Sequence, residues 1–185
     1  IEKIAVRRGE MVDMKNTGDG RVKMRSRIPA RGLFGLRGEF LTDTRGEGVM
    51  HHRFLDYGPW AGPLAGRTRG VLVADRPGVS VGYAIFNLQE RATMFVAPGV
   101  AVYEGMIVGE SARPRDMEVN ITKEKKLTNM RSSTADEMVH LAPPRRLSLE
   151  QAIEFICEDE LVEATPHAFR LRKKVLRAAQ RKGRA

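Results

Sequence analysis

Residues 10–28 read EMVDMKNTGDGRVKMRSRI, and the first fold assignment rests on them. Residues 10–15 alternate briefly through Val12 and Met14. In residues 21–28, Val22, Met24 and Ile28, with Ser26 in step, face one way, while Arg21, Lys23, Arg25 and Arg27 face the other. Period-two alternation marks a half-buried strand, because successive strand side chains point to opposite faces. NTGDG (residues 16–20) supplies turn chemistry between the two runs, so the stretch predicts a β-hairpin whose second strand carries its cations on one face. On pattern alone, that face is either an ordinary solvated one or a surface for a polyanion.

Working outward, residues 1–6 have the pattern of the last turns of a helix whose start lies outside the chain, ended by Gly9 as a C-cap residue. On the other side, Pro29 starts a helical segment in which Leu33, Leu36, Phe40 and Leu41 share a face, with Gly46 past its end. Gly32, Gly35 and Gly38 each weaken its helicity by roughly 1 kcal/mol relative to alanine, so tertiary packing has to hold it. Residues 49–55 read as one more strand. The order helix end, strand, strand, helix, strand is a split βαβ arrangement lacking its first strand and most of its first helix. The expectation is a partial ferredoxin-like domain over 1–57. The absent strand belongs in the middle of the sheet, between 21–28 and 49–55, so the open edges predict self-association of the fragment.

DYGPWAGPLAG (residues 56–66) is Gly- and Pro-rich and reads as a linker or rigid crossing loop. Short strands are expected at 70–74, 79–86, 92–96 and 102–110, separated by DRPG and APG turns. Further strands flank a polar loop: Met117, Val119 and Ile121 alternate before it, and Met138, Val139 and Leu141 follow it. Ser148 with Gln151 is a capping-box signature opening a helix whose apolar face is Ala152, Ile153, Phe155 and Ile156. Residues 161–164 and 169–171 flank TPHA as a hairpin. The reading is α+β, with a β-rich, barrel-like second domain over 58–185.

The 185 residues are 42% apolar and 30% charged, a globular composition, with a net charge of +9. The charge is uneven. Residues 164–185 hold eight bases and no acid, while residues 147–163 hold six acids and no base. Such a switch points to a polyanion partner for the basic end, or to a solubilising tail. The secondary basic surface predicted from pattern is Arg21, Lys23, Arg25, Arg27, Arg170, Arg172, Lys173 and Lys174. Nothing here has the length of a membrane span or the form of a secretory leader. A single cysteine, Cys157, excludes an internal disulfide and fits a reducing, cytoplasmic setting. With Ile1 and not Met as its opening residue, the chain is expected to be a piece of something longer.

No Gly-Lys precedes Ser or Thr, so no phosphate loop of that type occurs. DTRG (residues 43–46) therefore reads as a helix terminus. His51 and His52 point to opposite faces of the expected strand, and His140 and His167 are isolated, so no metal site is expected. Cys157 reads as a small core residue. Tyr83 and Phe86, like Phe95 and Tyr103, are spaced for strand cores. None of this builds a catalytic site. What remains is KEKKLTNMRSST (residues 123–134), with Lys123, Lys125, Lys126 and Arg131 and one acid, Glu124. Long loops inside compact domains are either functional or mobile, and cationic tips without aromatics suit phosphate backbones.

IPARGLFGLRGEFLTDTRGEG (residues 28–48), AVYEGMIVGESARPRDMEVNITKEKKLTNMRSS (101–133) and PPRRLSLEQAIEFICEDELVEATP (143–166) resemble the C-terminal half of the TypA/BipA family of ribosome-associated translational GTPases. The similarity covers nearly the whole chain, and the VYEG and KKLTNMR stretches are its most specific motifs. It implies a domain related to the fifth domain of elongation factor G, followed by a domain peculiar to this family. It implies a non-enzymatic fragment without cofactors, GTP and Mg being bound by an N-terminal domain with no counterpart here. It also implies a ribosome partner, with ribosomal RNA and A-site tRNA contacted through an extended loop, in ribosome function or assembly and stress adaptation. The residues carried over are Lys123, Lys125, Lys126, Asn129 and Arg131. Where family members often have Gly-Lys-Lys, this chain has Lys-Glu-Lys-Lys. A rival reading is a protein-interaction module that docks on a ribosomal or regulatory protein through the acidic helix around residues 150–163.

Overall fold

The computed structural model describes residues 1–64, 66–125 and 140–181 and divides into two compact units, Ile1–Gly66 and Arg67–Ala185. The linker residues fall with the first unit. In it, helix α1 (Glu2–Val6) leads to strands β1 (Glu10–Asn16) and β2 (Val22–Arg27), an antiparallel hairpin with Met14 opposite Met24 and Lys15 opposite Lys23. The turn after α1 is made by Arg8, at φ 60°, and not by Gly9. Gly9 is instead a point of close approach, where a Cβ would lie 2.6 Å from the Ile4 side chain.

The single helix expected after Pro29 is two pieces: a 3-10 turn at Ala30–Leu33 and helix α2 (Leu36–Asp43). Gly35, at φ 70°, breaks them apart, a conformation only glycine reaches without strain. DTRG does end a helix: α2 stops at Asp43, and Gly46 donates back to the Leu41 carbonyl at 2.7 Å. Residues 49–55 form no strand, and Val49, Phe54 and Leu55 are exposed. A strand needs a neighbour to take its backbone hydrogen bonds, and among the described residues none lies beside this segment.

The second unit contains strand β3 (Val71–Ala74), β4 (Gly78–Val79), helix α3 (Gly82–Gln89), β5 (Ala92–Met94), β6 (Ala101–Val102), β7 (Met106–Ser111), β8 (Met117–Val119), helix α4 (Leu149–Phe155), β9 (Glu160–Ala164), β10 (Phe169–Lys173) and helix α5 (Ala178–Arg181). The main sheet runs β8-β3-β7-β10-β9, with β5 sharing an edge of β7. β3 and β8 are parallel, and the other pairs are antiparallel. It is an open mixed sheet and not a barrel: β8 and β9 stand at opposite edges. The cause is visible in VLVA and MIV, which are apolar on both faces. Leu72, Ala74, Met106 and Val108 meet Ala84, Ile85 and Leu88 of α3 on one side. Val71, Val73, Ile107 and Leu171 meet Ala152 and Phe155 of α4 on the other. A sheet buried on both faces needs a layer on each.

Residues 79–86 are thus mostly helix where a strand was expected. A short apolar run fits either, and Ala84, Ile85 and Leu88 fall on one helical face toward the sheet. The capping box forms as read: Ser148 Oγ accepts from the Gln151 N–H, and Gln151 Oε1 accepts from the Ser148 N–H. The TPHA hairpin forms as β9 and β10. No strand includes residues 140–142; Met138 and Val139 lie outside the described residues.

Candidate nucleic-acid interface

The basic stretch leaves the sheet at the end of β8, and its foot is fixed. Ile121 is buried, and its carbonyl accepts from the Val81 N–H at 3.0 Å. Asn120 Oδ1 accepts from the Thr122 N–H at 3.0 Å and from its hydroxyl at 2.9 Å. The chain then emerges with Lys123, Glu124 and Lys125 exposed. No described carboxylate pairs with Lys123 or Lys125. Lys126, Asn129 and Arg131 lie outside the described residues. On the far side of the segment, Gln89 at the end of α3 holds residues 140–142: it donates to the His140 carbonyl at 2.9 Å and accepts from the Ala142 N–H at 3.0 Å. Leu141 packs on the core beside α3. Both stems of the basic segment are therefore tied to the same helix and sheet.

The secondary basic surface is smaller than its sequence suggests. In the first unit, Arg25 pairs with Asp13 at 3.0 Å and Arg27 with Asp56 at 3.4 Å, while Arg21 and Lys23 are exposed. In the second, Lys174 is exposed and Arg170 half-buried. Arg172 lies 2.6 Å from Glu163, in ion-pair contact but not aligned for a hydrogen bond. Lys173 is no surface cation. Strand alternation turns it inward, where its ammonium meets Asp116 at 2.6 Å, Asp159 at 2.7 Å and Glu160 at 2.9 Å.

Glu160 is the buried centre of this cluster. It takes two hydrogen bonds from Arg67, at 3.0 and 2.9 Å, and one from the Cys157 N–H at 3.0 Å. Arg67 also lies 4.4 Å over the Phe155 ring. Burial alone would push the Glu160 carboxyl up, but the hydrogen bonds from Arg67 and Lys173 outweigh it and hold the carboxyl below its usual range. Burial likewise opposes the charge on Lys173, and its three carboxylate partners win, raising its pKa. Cys157, expected in the core, is half-buried and belongs to neither core cluster; burial is the chief cause that raises its pKa. Of the six acids in 147–163, Asp159, Glu160 and Glu163 are thus engaged internally.

An open groove of about 560 Å³ lies between α3 and β8. Tyr83, Asn87, Arg91, Asn120 and Lys123 line it, with Glu118, which Arg181 neutralises at 3.3 Å. Sequence reasoning missed it by placing Tyr83 on a strand; the spacing of Ala84, Ile85 and Leu88 was the signal for the helix. Among the described residues, no group of His, Cys, Asp or Glu is placed to hold a metal ion, and no helix is long and apolar enough to cross a membrane.

Residues 69–178 match the TypA/BipA C-terminal domain, and residues 1–68 match the elongation factor G C-terminus. The chain is 51% identical over 173 residues to the large ribosomal subunit assembly factor BipA of Synechocystis sp., covering 94% of this chain and 29% of that protein. It is 46% identical over 182 residues to the protein of the same description from Bacillus subtilis, covering 98% of this chain and 30% of that one. For the Salmonella typhimurium protein of that description, the identity is 45% over 177 residues, covering 95% and 29%. The chain therefore spans less than a third of the length of the curated relatives it matches.

Proposed function

Because the chain belongs to the TypA/BipA family, matching its C-terminal domain over residues 69–178, we propose that it is the ribosome-docking part of a translational GTPase. It binds large-subunit ribosomal RNA and A-site tRNA in the cytoplasm through the basic segment that begins at Lys123. The relatives' description as large ribosomal subunit assembly factors supports this reading. One observation carries it. Lys123 and Lys125 leave a fixed foot exposed and without a described carboxylate partner, while Arg67 and Lys173 of the same unit are paired inward. The mechanism is electrostatic: lysines and Arg131 neutralise phosphates and release counterions, and the folded base sets where they point. GTP hydrolysis, with its Mg, is assigned to a separate domain of the parent protein.

The docking route through the acidic stretch is weaker, because helix α4 ends at Phe155 and carries only Glu150 and Glu154 of the stretch's six acids, while Asp159, Glu160 and Glu163 beyond it already have partners. The open edge of β2 and the exposed Met14, Val22 and Met24 make self-association through the hairpin part of the proposal. Sedimentation that stays monomeric at high concentration would count against that part. The main test is binding to salt-washed large subunits and to protein-stripped ribosomal RNA. Replacing Lys125, Lys126 and Arg131 together by Gln should flatten the log affinity–log salt slope by roughly 2 to 3 units. An unchanged slope removes the segment from the RNA contact.

A further inference from the structure

The groove between α3 and β8 combines features that a phosphate-contacting loop alone does not have. Tyr83 and Phe86, which pattern would put in a strand core, stand on the outer side of α3, 36% and 37% exposed. Tyr83 lines the groove, with the side-chain amides of Asn87 and Asn120 near it. Asn87 Nδ2 donates to the Tyr83 carbonyl at 2.7 Å, and Asn120 Oδ1 is held by Thr122. Arg91 and Lys123 complete the lining, and no described carboxylate pairs with either. The Arg91 carbonyl accepts from Ala112 at 2.9 Å, which brings Arg91 beside the turn that carries the exposed Arg113 and Arg115. Glu118, the acid in the lining, is matched by Arg181. Among the described residues, no strand pairs with β8 on its outer side. An aromatic face, two amides, two cations without a described carboxylate partner and a volume of about 560 Å³ suit one flat, polar, anionic ligand unit, within the usual range of small-ligand pockets.

We infer that this groove receives an unpaired nucleotide of large-subunit ribosomal RNA, its base stacked on Tyr83 and its flanking phosphates met by Arg91 and Lys123. Stacking on an aromatic ring tolerates any base, and the two amides supply hydrogen bonds to a base edge. The inference rests on the RNA-binding reading above and deepens it. The basic segment supplies charge, and the groove selects single-stranded over duplex RNA.

The test uses the full chain with an oligouridine decamer, a blunt RNA hairpin, protein-stripped large-subunit RNA and bulk tRNA. Tyr83→Leu should lower affinity for the decamer roughly 5- to 150-fold, the loss of one stacked base, with the salt slope and duplex binding unchanged. Tyr83→Phe should bind like the parent, which separates stacking from any disturbance of folding. Arg91→Gln should flatten the decamer's salt slope by about 0.7. Tyr83→Leu and Arg91→Gln variants that bind the decamer as tightly as the parent overturn the inference. So does Tyr83-dependent protection found only on tRNA, or an equal loss on decamer and hairpin. Loss of ribosomal RNA binding in Lys125→Gln/Lys126→Gln, with none in Tyr83→Leu, sinks the groove and leaves the proposed function standing. No loss in either sinks both.

Discussion

Lys173→Met tests whether the buried charge cluster around Glu160 holds the second unit together. The substitution removes the cation from Asp116, Asp159 and Glu160 while keeping most of the side-chain volume. The three carboxylates do not suffer equally. The Asp116 and Asp159 side chains are 43% and 65% exposed, so water replaces the lost partner. Glu160 is 0% exposed and cannot be rehydrated in place, yet it keeps both Arg67 contacts and the Cys157 N–H. Removing one partner of a buried pair costs about 3–5 kcal/mol, and the surviving Arg67 contacts place this one near about 3 kcal/mol. That is a large part of the ~5–15 kcal/mol by which domains are stable, and for a unit of this size it lowers Tm by roughly 10 °C. Trp60 lies in the first unit, so tryptophan fluorescence reports on the wrong one. Hydrogen exchange at the Ile107 and Val108 amides of β7 along a urea series reads the second. Glu160→Gln alone should also destabilise, and the double variant should cost less than the two singles together, since they share one interaction. Unchanged β7 protection in Lys173→Met would refute the reasoning.

Because the folded-state pKa of Glu160 lies below its ordinary value of 4.5, its contribution is complete above that pH and fades as pH falls through the folded value. Lys173 has the opposite sign: its contribution holds below its ordinary 10.5 and is lost only above the raised value. Urea midpoints for the second unit should therefore stay level from neutral pH to about 8, decline above about 9 as the Cys157 thiol ionises more readily in the unfolded chain than in the fold, and fall in acid, and Glu160→Gln should remove part of the acid slope. Gly105→Ala should destabilise by about 2–3 kcal/mol, because φ is 86° and a Cβ would lie 2.7 Å from the Leu176 Cα; a thermal melt checks it. Ser148→Ala should cost about 1 kcal/mol by removing one half of the capping box, while Ser148→Asp largely keeps it, as denaturant midpoints would show.

What the residues settled without coordinates is what is local. NTGDG between two alternating runs made the first hairpin, TPHA between two others made the last, and Ser148 with Gln151 started α4. Each of these depends on backbone preferences and hydrogen bonds within a few residues. The place of the basic segment was legible too, since it lies between the β8 pattern and Leu141. Family membership was readable from its motifs.

The tertiary structure decided everything that turns on who the neighbour is. Residues 79–86 became helix because Ala84, Ile85 and Leu88 could cover one face of β3 and β7, a fact absent from a run of eight residues. The sheet stayed open because both faces of its central strands were apolar and each drew a helix. Residues 49–55 stayed unpaired because no described strand offered them hydrogen bonds. Lys173 sits in a basic run that reads as surface, yet β10 alternation aims it at Glu160, whose own burial is fixed by Arg67 from the far end of the unit. Charge and periodicity are properties of the chain; whether a charge meets water or a carboxylate depends on segments distant in sequence that packing brings together.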